Sequence, residues 1–289
     1  MNAVMWRLHR NQAYTAGLAL TTLTLLLLTS GISMTHPYLV ITGLVVATIT
    51  VPLLLGLFWG APFLAAEFEG GTHNLAWTQG ISRRRWLARN ISWALLAAGL
   101  WSAIMAALVS WWIVRETAPG WNAADRLENH IGLFDIQGIV PVAYSMFAVA
   151  LGIAAGAVFR RVVPAMATTL AGFVAVRAVI GLYLRPHYIP PVVKPGALTA
   201  TASPPGAVNV STAIIGPDGH NYGTPPPYPA VCHSNPSTSC LASHGFHLVW
   251  IYQPESRFWA FQGIEATIFI ALAAALITLT CRVVLTRDA

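Results

Sequence analysis

Long runs of apolar residues alternate with short polar segments along most of the chain. Six of these runs approach or exceed the roughly 20 residues that a helix needs to cross a bilayer. They lie at about 13–33, 38–64, 91–114, 136–159, 162–184 and 259–281. The pattern therefore predicts six membrane-spanning helices.

Two of the runs need separate comment. The first follows Arg7 and Arg10, as in a signal peptide, but its apolar core is too long and no small-residue cleavage site follows. We interpret it as a retained span. The second run is long and contains Pro52 and Pro62, so we expect a kink or an early end there.

The polar segments predict further elements. Residues 1–12 place Val4, Met5 and Leu8 at helical spacing, which favours a helix lying in the membrane interface; a frayed basic leader is the alternative. Residues 185–258 contain 13 of the 19 prolines. This composition predicts a large loop between spans five and six, without a long central helix.

Composition excludes an ordinary soluble protein. Hydrophobic residues make up 56% of the 289 residues and charged residues 9%, against about 25% charged residues in a soluble domain. So few charges cannot cover a soluble surface. We therefore expect residues 1–289 to form a single, all-α integral membrane domain.

Basic residues predict the orientation of this domain. With six spans, ten of the 16 Lys and Arg residues lie on the side that holds both termini. By the positive-inside rule, both termini face the cytoplasm and the loop 185–258 is extracellular. The net charge of +6 belongs to this inner belt, so it does not indicate a nucleic-acid partner.

Arg177 and Glu265 are charged residues within the predicted spans. Charges inside a membrane are costly and are often functional. Both lie at a similar depth when a helix rises about 1.5 Å per residue, so we expect them to pair or to line a polar cavity. In the alternative, Arg177 snorkels to the headgroups and Glu265 reaches the membrane surface.

Cys232 and Cys240 lie in the extracellular loop, with seven residues between them. Such a pair predicts a disulfide in an oxidising compartment. A zinc site and free thiols are the alternatives, because four histidines are nearby: His220, His233, His244 and His247. Their spacing matches no standard zinc finger, and we assign no metal site.

Catalytic motifs are missing from the sequence. It contains no GxxxxGK[ST] phosphate loop, no HExxH and no GxSxG. We therefore assign neither a catalytic residue nor a cofactor to this chain.

The segment 67–90, EFEGGTHNLAWTQGISRRRWLARN, is the most polar part of the first half of the chain. Glu67 and Glu69 precede a Gly-Gly break, and Ser82 is placed as the N-cap of the helix that enters span three. A loop that only obeys the positive-inside rule needs arginines but not this arrangement. We therefore expect a cytoplasmic partner to dock here.

The run AAEFEGGTHNLAWTQGISRRRWLARN resembles the segment between spans two and three of actinobacterial type-2 ABC transporter permeases. Three further stretches are similar to the same family: FDIQGIVPVAYSMFAVALGIAAGAVFRR, PAMATTLAGFVAVRAVIGLYLRPHY and YQPESRFWAFQGIE. The resemblance covers most of the chain except the proline-rich loop.

This resemblance implies the membrane subunit of an ATP-driven exporter in a bacterial plasma membrane. Two copies of a separate cytoplasmic ATPase subunit would bind ATP and magnesium, and a second permease chain, taken as an identical copy, would share the pathway. The exported compound would be amphipathic or hydrophobic, and the substrate-binding residues are unknown. An ATP-independent membrane enzyme or sensor that uses the extracellular His/Cys loop is the alternative.

The resemblance also implies which residues couple the permease to the ATPase. The family's coupling helix and its lead-in would fall on Glu67, Glu69, Gly71, Thr72, Trp77, Thr78 and Gln79, flanked by Arg83, Arg84 and Arg85.

Overall fold

The computed structural model describes residue 46 and residues 49–70, 82–116, 133–198, 208–222, 232 and 237–287. Among these residues, five helices are long and apolar enough to cross a membrane. The interfacial helix expected at 1–12 and the first span at 13–33 lie outside the described residues. The chain divides into two compact units, one of residues 1–116, 135–177 and 262–289, the other of residues 117–134 and 178–261.

The described helices follow the predicted order of spans two to six. They are α1 (Ile49–Glu69), α2 (Arg83–Glu116), α3 (Leu133–Ile136), α4 (Val140–Phe159), α5 (Val162–Val179), α6 (Thr238–Ser243) and α7 (Phe258–Arg287). A π-helical turn (Ile180–Leu184) and a 3-10 turn (Arg185–His187) continue α5. The five helices of membrane-spanning length are α1, α2, α4, α5 and α7.

An irregular turn lies within α1, where the sequence contains prolines. A π-helical turn at Gly56–Gly60, closed by the Ala61 N–H on the Gly56 carbonyl, directly precedes Pro62. Pro62 has no N–H for a helical hydrogen bond, and π-helical turns occur mostly as single irregular turns within α-helices. The helix continues through Pro62 to Glu69, and the early end that the prolines suggested does not occur.

The most buried of the long helices is α4. Of an 18-residue stretch of α4, 72% is buried, against 22–39% of a stretch of the same length in the other four. Its sequence, VPVAYSMFAVALGIAAGAVF, consists largely of small and apolar residues. Small side chains let neighbouring helix backbones approach closely, which suits a helix that is enclosed by others.

Glycines of α4 make its contact with α1 possible. A Cβ atom on Gly152 would lie 2.5 Å from the Ala61 nitrogen and 2.5 Å from the Gly56 oxygen, and one on Gly156 would lie 2.8 Å from the Ala61 oxygen. These neighbours are backbone atoms, which cannot rotate out of the way. The GxxxG spacing of Gly152 and Gly156 therefore serves packing within the chain.

The second unit contains a three-stranded antiparallel sheet, which the sequence patterns did not predict. Its strands are β1 (Val192–Gly196), β2 (Val208–Ile215) and β3 (His247–Gln253). Their order is β1-β3-β2, so the last strand in the sequence is the central one. The register shifts between Asn209 and Ser211, which marks a bulge in β2.

This sheet has a small hydrophobic core of its own. Leu248 and Trp250, two residues apart on β3, lie on the same face. They pack with Ile214, Leu241 and Phe246, of which Leu241 belongs to α6. The proline-rich loop therefore includes an ordered, locally packed element.

A side-chain hydrogen bond fixes the turn that follows β2. The Tyr222 hydroxyl donates to Oδ2 of Asp218 at 2.6 Å, and this bond lowers the pKa of the Asp218 carboxyl. The same bond raises the pKa of the Tyr222 phenol. The Tyr222 N–H donates to the Ile214 carbonyl at 2.9 Å, so the turn folds back on the strand.

Candidate functional site

A cluster of charged and polar side chains lies inside the first unit. Arg177 of α5 contacts Asp135 of α3 through two atom pairs, Nη2–Oδ2 at 2.9 Å and Nη1–Oδ1 at 3.3 Å. The same Nη1 lies 3.5 Å from Oε1 of Glu265 on α7. One guanidinium therefore bridges two carboxylates from different helices.

Tyr144 of α4 is the fourth member of this cluster. Its hydroxyl hydrogen-bonds Oδ1 of Asp135 at 2.9 Å and Oε1 of Glu265. The guanidinium carbon of Arg177 lies 3.9 Å from the centroid of its ring, where the ring face attracts a cation. Glu265 is completely buried and Tyr144 nearly so. Buried charges are tolerated when they are paired and hydrogen-bonded, and this cluster meets that condition.

A side chain of α7 fixes the turn before α4. The buried Gln262 side chain of α7 accepts the N–H groups of Ile139 and Val140 with its Oε1, at 3.0 Å each. Such N–H groups have no partner within their own helix, so Gln262 caps α4 from another helix. Gly138 has a φ of 69°, and a Cβ atom there would lie 2.7 Å from Gln262 Oε1. This turn therefore requires glycine.

The sequence predicts part of the cluster. Arg177 and Glu265 are recognisable as charges within spans, and the structure brings them together at 3.5 Å. Asp135, Tyr144 and Gln262 are not predicted. Asp135 directly precedes the uncharged run 136–159, and hydropathy alone assigns it to the loop. One usable signal was the spacing of Gln262 and Glu265, since residues three apart share a helix face.

A second set of contacts joins the end of α1 to the start of α5. Oε2 of Glu69 accepts the Val162 N–H at 3.1 Å. The guanidinium carbon of Arg160 lies 5.0 Å from the centroid of the Phe68 ring. Glu69 is the last residue of α1, so these contacts lie at the start of the segment 67–90, to which the sequence assigns coupling.

The other residues expected in coupling are described only in part. Glu67 and Glu69 belong to the last turn of α1 instead of following its end. Arg83 is the first residue of α2, and the side chains of Arg84 and Arg85 are exposed. The remaining positions lie outside the described residues: Gly71, Thr72, Trp77, Thr78 and Gln79.

A disulfide joins Cys232 and Cys240 in the second unit. His244 Nδ1 lies 3.9 Å from each sulfur, and among the described residues these three side chains form the group spaced to hold a metal ion. Sulfurs bonded to each other have no thiolate to offer a metal. The arrangement therefore fits the disulfide interpretation better than the zinc alternative. His233 lies outside the described residues, and Cys281 of α7 is a free cysteine.

The comparisons with known proteins bear on the helical part of the chain. A protein-family model described as ABC-2 membrane transporter related matches residues 13–185. No curated protein and no solved structure matches the chain. The matched range is more than half of the chain and includes Asp135, Tyr144 and Arg177. The five apolar helices agree with a multi-pass membrane protein. The chain therefore belongs to the ABC-2 membrane transporter related family, which supports a permease of the ABC-2 type.

Proposed function

We propose that the chain is the permease subunit of an ATP-driven exporter, which moves an amphipathic or hydrophobic compound out of a bacterial cell. The family match across residues 13–185 carries this proposal, because it includes four of the five described helices of spanning length. The sequence contains no phosphate loop, so a separate ATPase subunit binds ATP and magnesium.

The complex consists of two such ATPase subunits and two permease chains, taken as identical. Both termini of each permease lie in the cytoplasm, as its basic residues indicate, and residues 185–258 lie outside the cell. The disulfide between Cys232 and Cys240 supports this orientation independently, because disulfides persist in oxidising compartments.

Coupling between the subunits takes place at residues 70–81, between α1 and α2. Binding of ATP brings the two ATPase subunits together and displaces this segment. The spanning helices then change from an inward-open to an outward-open arrangement. The resemblance assigns the following residues in or beside this segment to the docking surface: Glu67, Glu69, Gly71, Thr72, Trp77, Thr78 and Gln79, with the basic residues Arg83, Arg84 and Arg85 beside them.

A co-purification experiment tests the proposal. The affinity-tagged chain is extracted from its native membrane in mild detergent, and the purified material is labelled with a photoreactive ATP analogue. We expect a second polypeptide to bind the label and to contain a phosphate loop. We also expect its ATPase activity to rise with some members of a panel of amphipathic compounds.

The same experiment has an outcome that contradicts the proposed exporter. A chain that purifies without any nucleotide-binding subunit, under conditions where the detergent preserves its fold, contradicts the exporter. If such a chain also binds a stoichiometric metal ion through the loop 185–258, the membrane enzyme or sensor takes its place.

A further inference from the structure

Glu69 caps α5 with a bond that the neighbouring sequence does not supply. Its Oε2 accepts the Val162 N–H at 3.1 Å. The first N–H groups of a helix have no partner inside it, and a carboxylate there satisfies one of them and complements the helix dipole. Arg161, which precedes Val162, has no acceptor in its side chain. The cap of α5 therefore comes from a residue 93 positions away in the sequence.

Phe68 adds a second contact at the same corner. Its ring lies beneath the Arg160 guanidinium, 5.0 Å from centroid to guanidinium carbon, within the range of a cation–π interaction. Arg160 has a φ of 53°, and its N–H donates to the Gly156 carbonyl at 3.0 Å, which ends α4. Phe68 and Glu69, two consecutive residues of α1, thus contact the turn that joins α4 to α5.

Side-chain contacts also hold the other end of α5, at Arg177. Arg177 lies about 22 Å along the helix axis from Val162, and it contacts Asp135 and Glu265. Of an 18-residue stretch of α5 with its continuation, only 22% is buried. Between these two ends α5 packs through Ala165 against Ala61 and Ala65 of α1, and the contacts at Val162 and Arg177 add a polar attachment at each end.

We propose that α5 carries movement of the coupling segment, residues 70–81, to the cluster around Arg177, and that Glu69 is the positioning residue that joins segment and helix. The proposal rests on the proposed function, because it takes residues 70–81 as the place where the ATPase acts. Displacement of that segment moves Glu69 and, through the Val162 N–H, the first turn of α5. Since an α-helix is stiff along its axis, Arg177 then moves against Asp135 and Glu265.

Glu69 then has a different role from the one that the sequence resemblance implies. The carboxylate does not belong to the docking surface for the ATPase. It acts within the permease, on α5, and its oxygen matters more than its charge. A glutamine side chain at this position would keep an oxygen that accepts the Val162 N–H, whereas an alanine side chain would not. The substitutions Glu69→Gln and Glu69→Ala therefore separate the two roles.

A fluorescent reporter on α5 provides the test. In a Cys281→Ser background, a cysteine introduced by Val174→Cys is labelled with bimane in the purified complex with its ATPase. Val174 is 52% exposed, so the label fits without displacing a buried side chain. The disulfide protects Cys232 and Cys240 from the label. The measured quantity is the fluorescence change on trapping with MgATP and vanadate.

We expect the parent and Glu69→Gln to show the same fluorescence change. Glu69→Ala is expected to reduce it about fivefold, the factor that corresponds to the loss of a helix cap. A second reporter, Leu96→Cys on α2, is expected to respond equally in all three proteins, which shows that Glu69→Ala still assembles and binds ATP. Val163→Ala, an exposed position beside the cap, is expected to leave both reporters unchanged.

Three outcomes overturn the inference in distinguishable ways. A full response of the α5 reporter in Glu69→Ala rejects the role of Glu69 and leaves the exporter in place. Equal loss in Glu69→Gln and Glu69→Ala shows that the charge of Glu69, and not the oxygen that accepts the Val162 N–H, determines the response. The absence of any response in the parent, with both reporters, rejects the exporter and the inference together.

Phe68→Leu serves if Glu69→Ala does not assemble. This change removes the ring beneath Arg160 and keeps an apolar side chain of similar size. We expect it to weaken the response of the α5 reporter and to spare that of the α2 reporter. An unchanged α5 response in Phe68→Leu overturns the inference as well.

Discussion

Arg177 shows how one side chain is held inside an apolar protein. A lone guanidinium in a membrane span has no water to bond, and the surrounding helices supply Asp135, Glu265 and the Tyr144 ring instead. The bidentate contact with Asp135 uses the planar fork of the guanidinium, which lysine lacks. The cluster therefore depends on arginine and not only on a positive charge.

The first prediction concerns Arg177→Met, which leaves two carboxylates without their shared guanidinium. Removing one partner of a buried ion pair destabilises a protein by about 3–5 kcal/mol. We expect a clear fall in the thermal unfolding temperature of the detergent-solubilised protein. Adding Asp135→Asn to Arg177→Met should recover part of the loss, because neighbouring sites are coupled.

The control for this prediction is Arg89→Met, at an exposed position of α2. Exposed substitutions change stability by about 0.5 kcal/mol or less, so this variant should unfold close to the parent. If Arg177→Met behaves like Arg89→Met, the ion pairs do not stabilise the fold.

At the scale of elements, the long helices were predictable and their ends were not. An uninterrupted apolar run leaves few alternatives to a spanning helix. Hydropathy placed the start of span three at Ile91, yet α2 begins at Arg83, because helical hydrogen bonding continues beyond the apolar run. The sheet escaped prediction because its strands are only five to eight residues long and β1 contains Pro195. Its pairing joins strands far apart in the sequence.

The second prediction tests the contact between α1 and α4 with Gly152→Ala. The new Cβ atom would lie 2.5 Å from backbone atoms of α1, so the two helices must separate. Overpacking of this kind costs about 1–3 kcal/mol, and we expect a lower unfolding temperature and a lower yield of folded protein. Gly263→Ala is the matched control, since nothing lies within 4 Å of its Cβ position. Equal unfolding temperatures for the two variants would contradict the close helix contact.

The third prediction concerns the disulfide in the second unit. In the chain-entropy model, closing such a short loop contributes about 2–3 kcal/mol. We expect Cys232→Ser to lower the stability of the element that contains the sheet, measured as faster proteolysis within residues 208–253. Cys281→Ser, the change of a free cysteine, should not alter the cleavage rate.

Thiol labelling provides an independent check on this pair. Without prior reduction, a maleimide reagent added to denatured protein should modify Cys281 and neither of the other two cysteines. Labelling of all three cysteines under these conditions would show that the native protein contains no disulfide.

At the scale of the whole molecule, several stretches of the sequence resemble ABC-2 permeases. The family match over residues 13–185 confirms that family assignment. Only two of the four residues in the polar cluster around Arg177 could be predicted from the sequence. A charge within a span is a strong signal, so Arg177 and Glu265 were recognised from sequence. Asp135 and Tyr144 join them because separate parts of the chain meet in space, and no local pattern records such a meeting.

The last prediction tests where work from the ATPase enters the molecule. Thr72 lies in the segment 70–81, which the proposed function assigns to ATPase docking. Thr72→Arg places a long, charged side chain at that surface and should weaken the link between ATP hydrolysis and transport. Coupling energies between sites are typically about 1–3 kcal/mol, so we expect compound-stimulated ATPase activity and export to fall by about 5- to 150-fold.

Insertion and folding should survive the same change, because Thr72 lies outside the spans that the sequence predicts, between 38–64 and 91–114. The unfolding temperature and the membrane yield of Thr72→Arg are therefore expected to equal those of the parent. Thr286→Arg, the same substitution at an exposed position near the end of α7, controls for an added charge at a helix end. Full export by Thr72→Arg would place the coupling elsewhere. Loss of export in both variants would mean that added charge, and not position, disturbs transport.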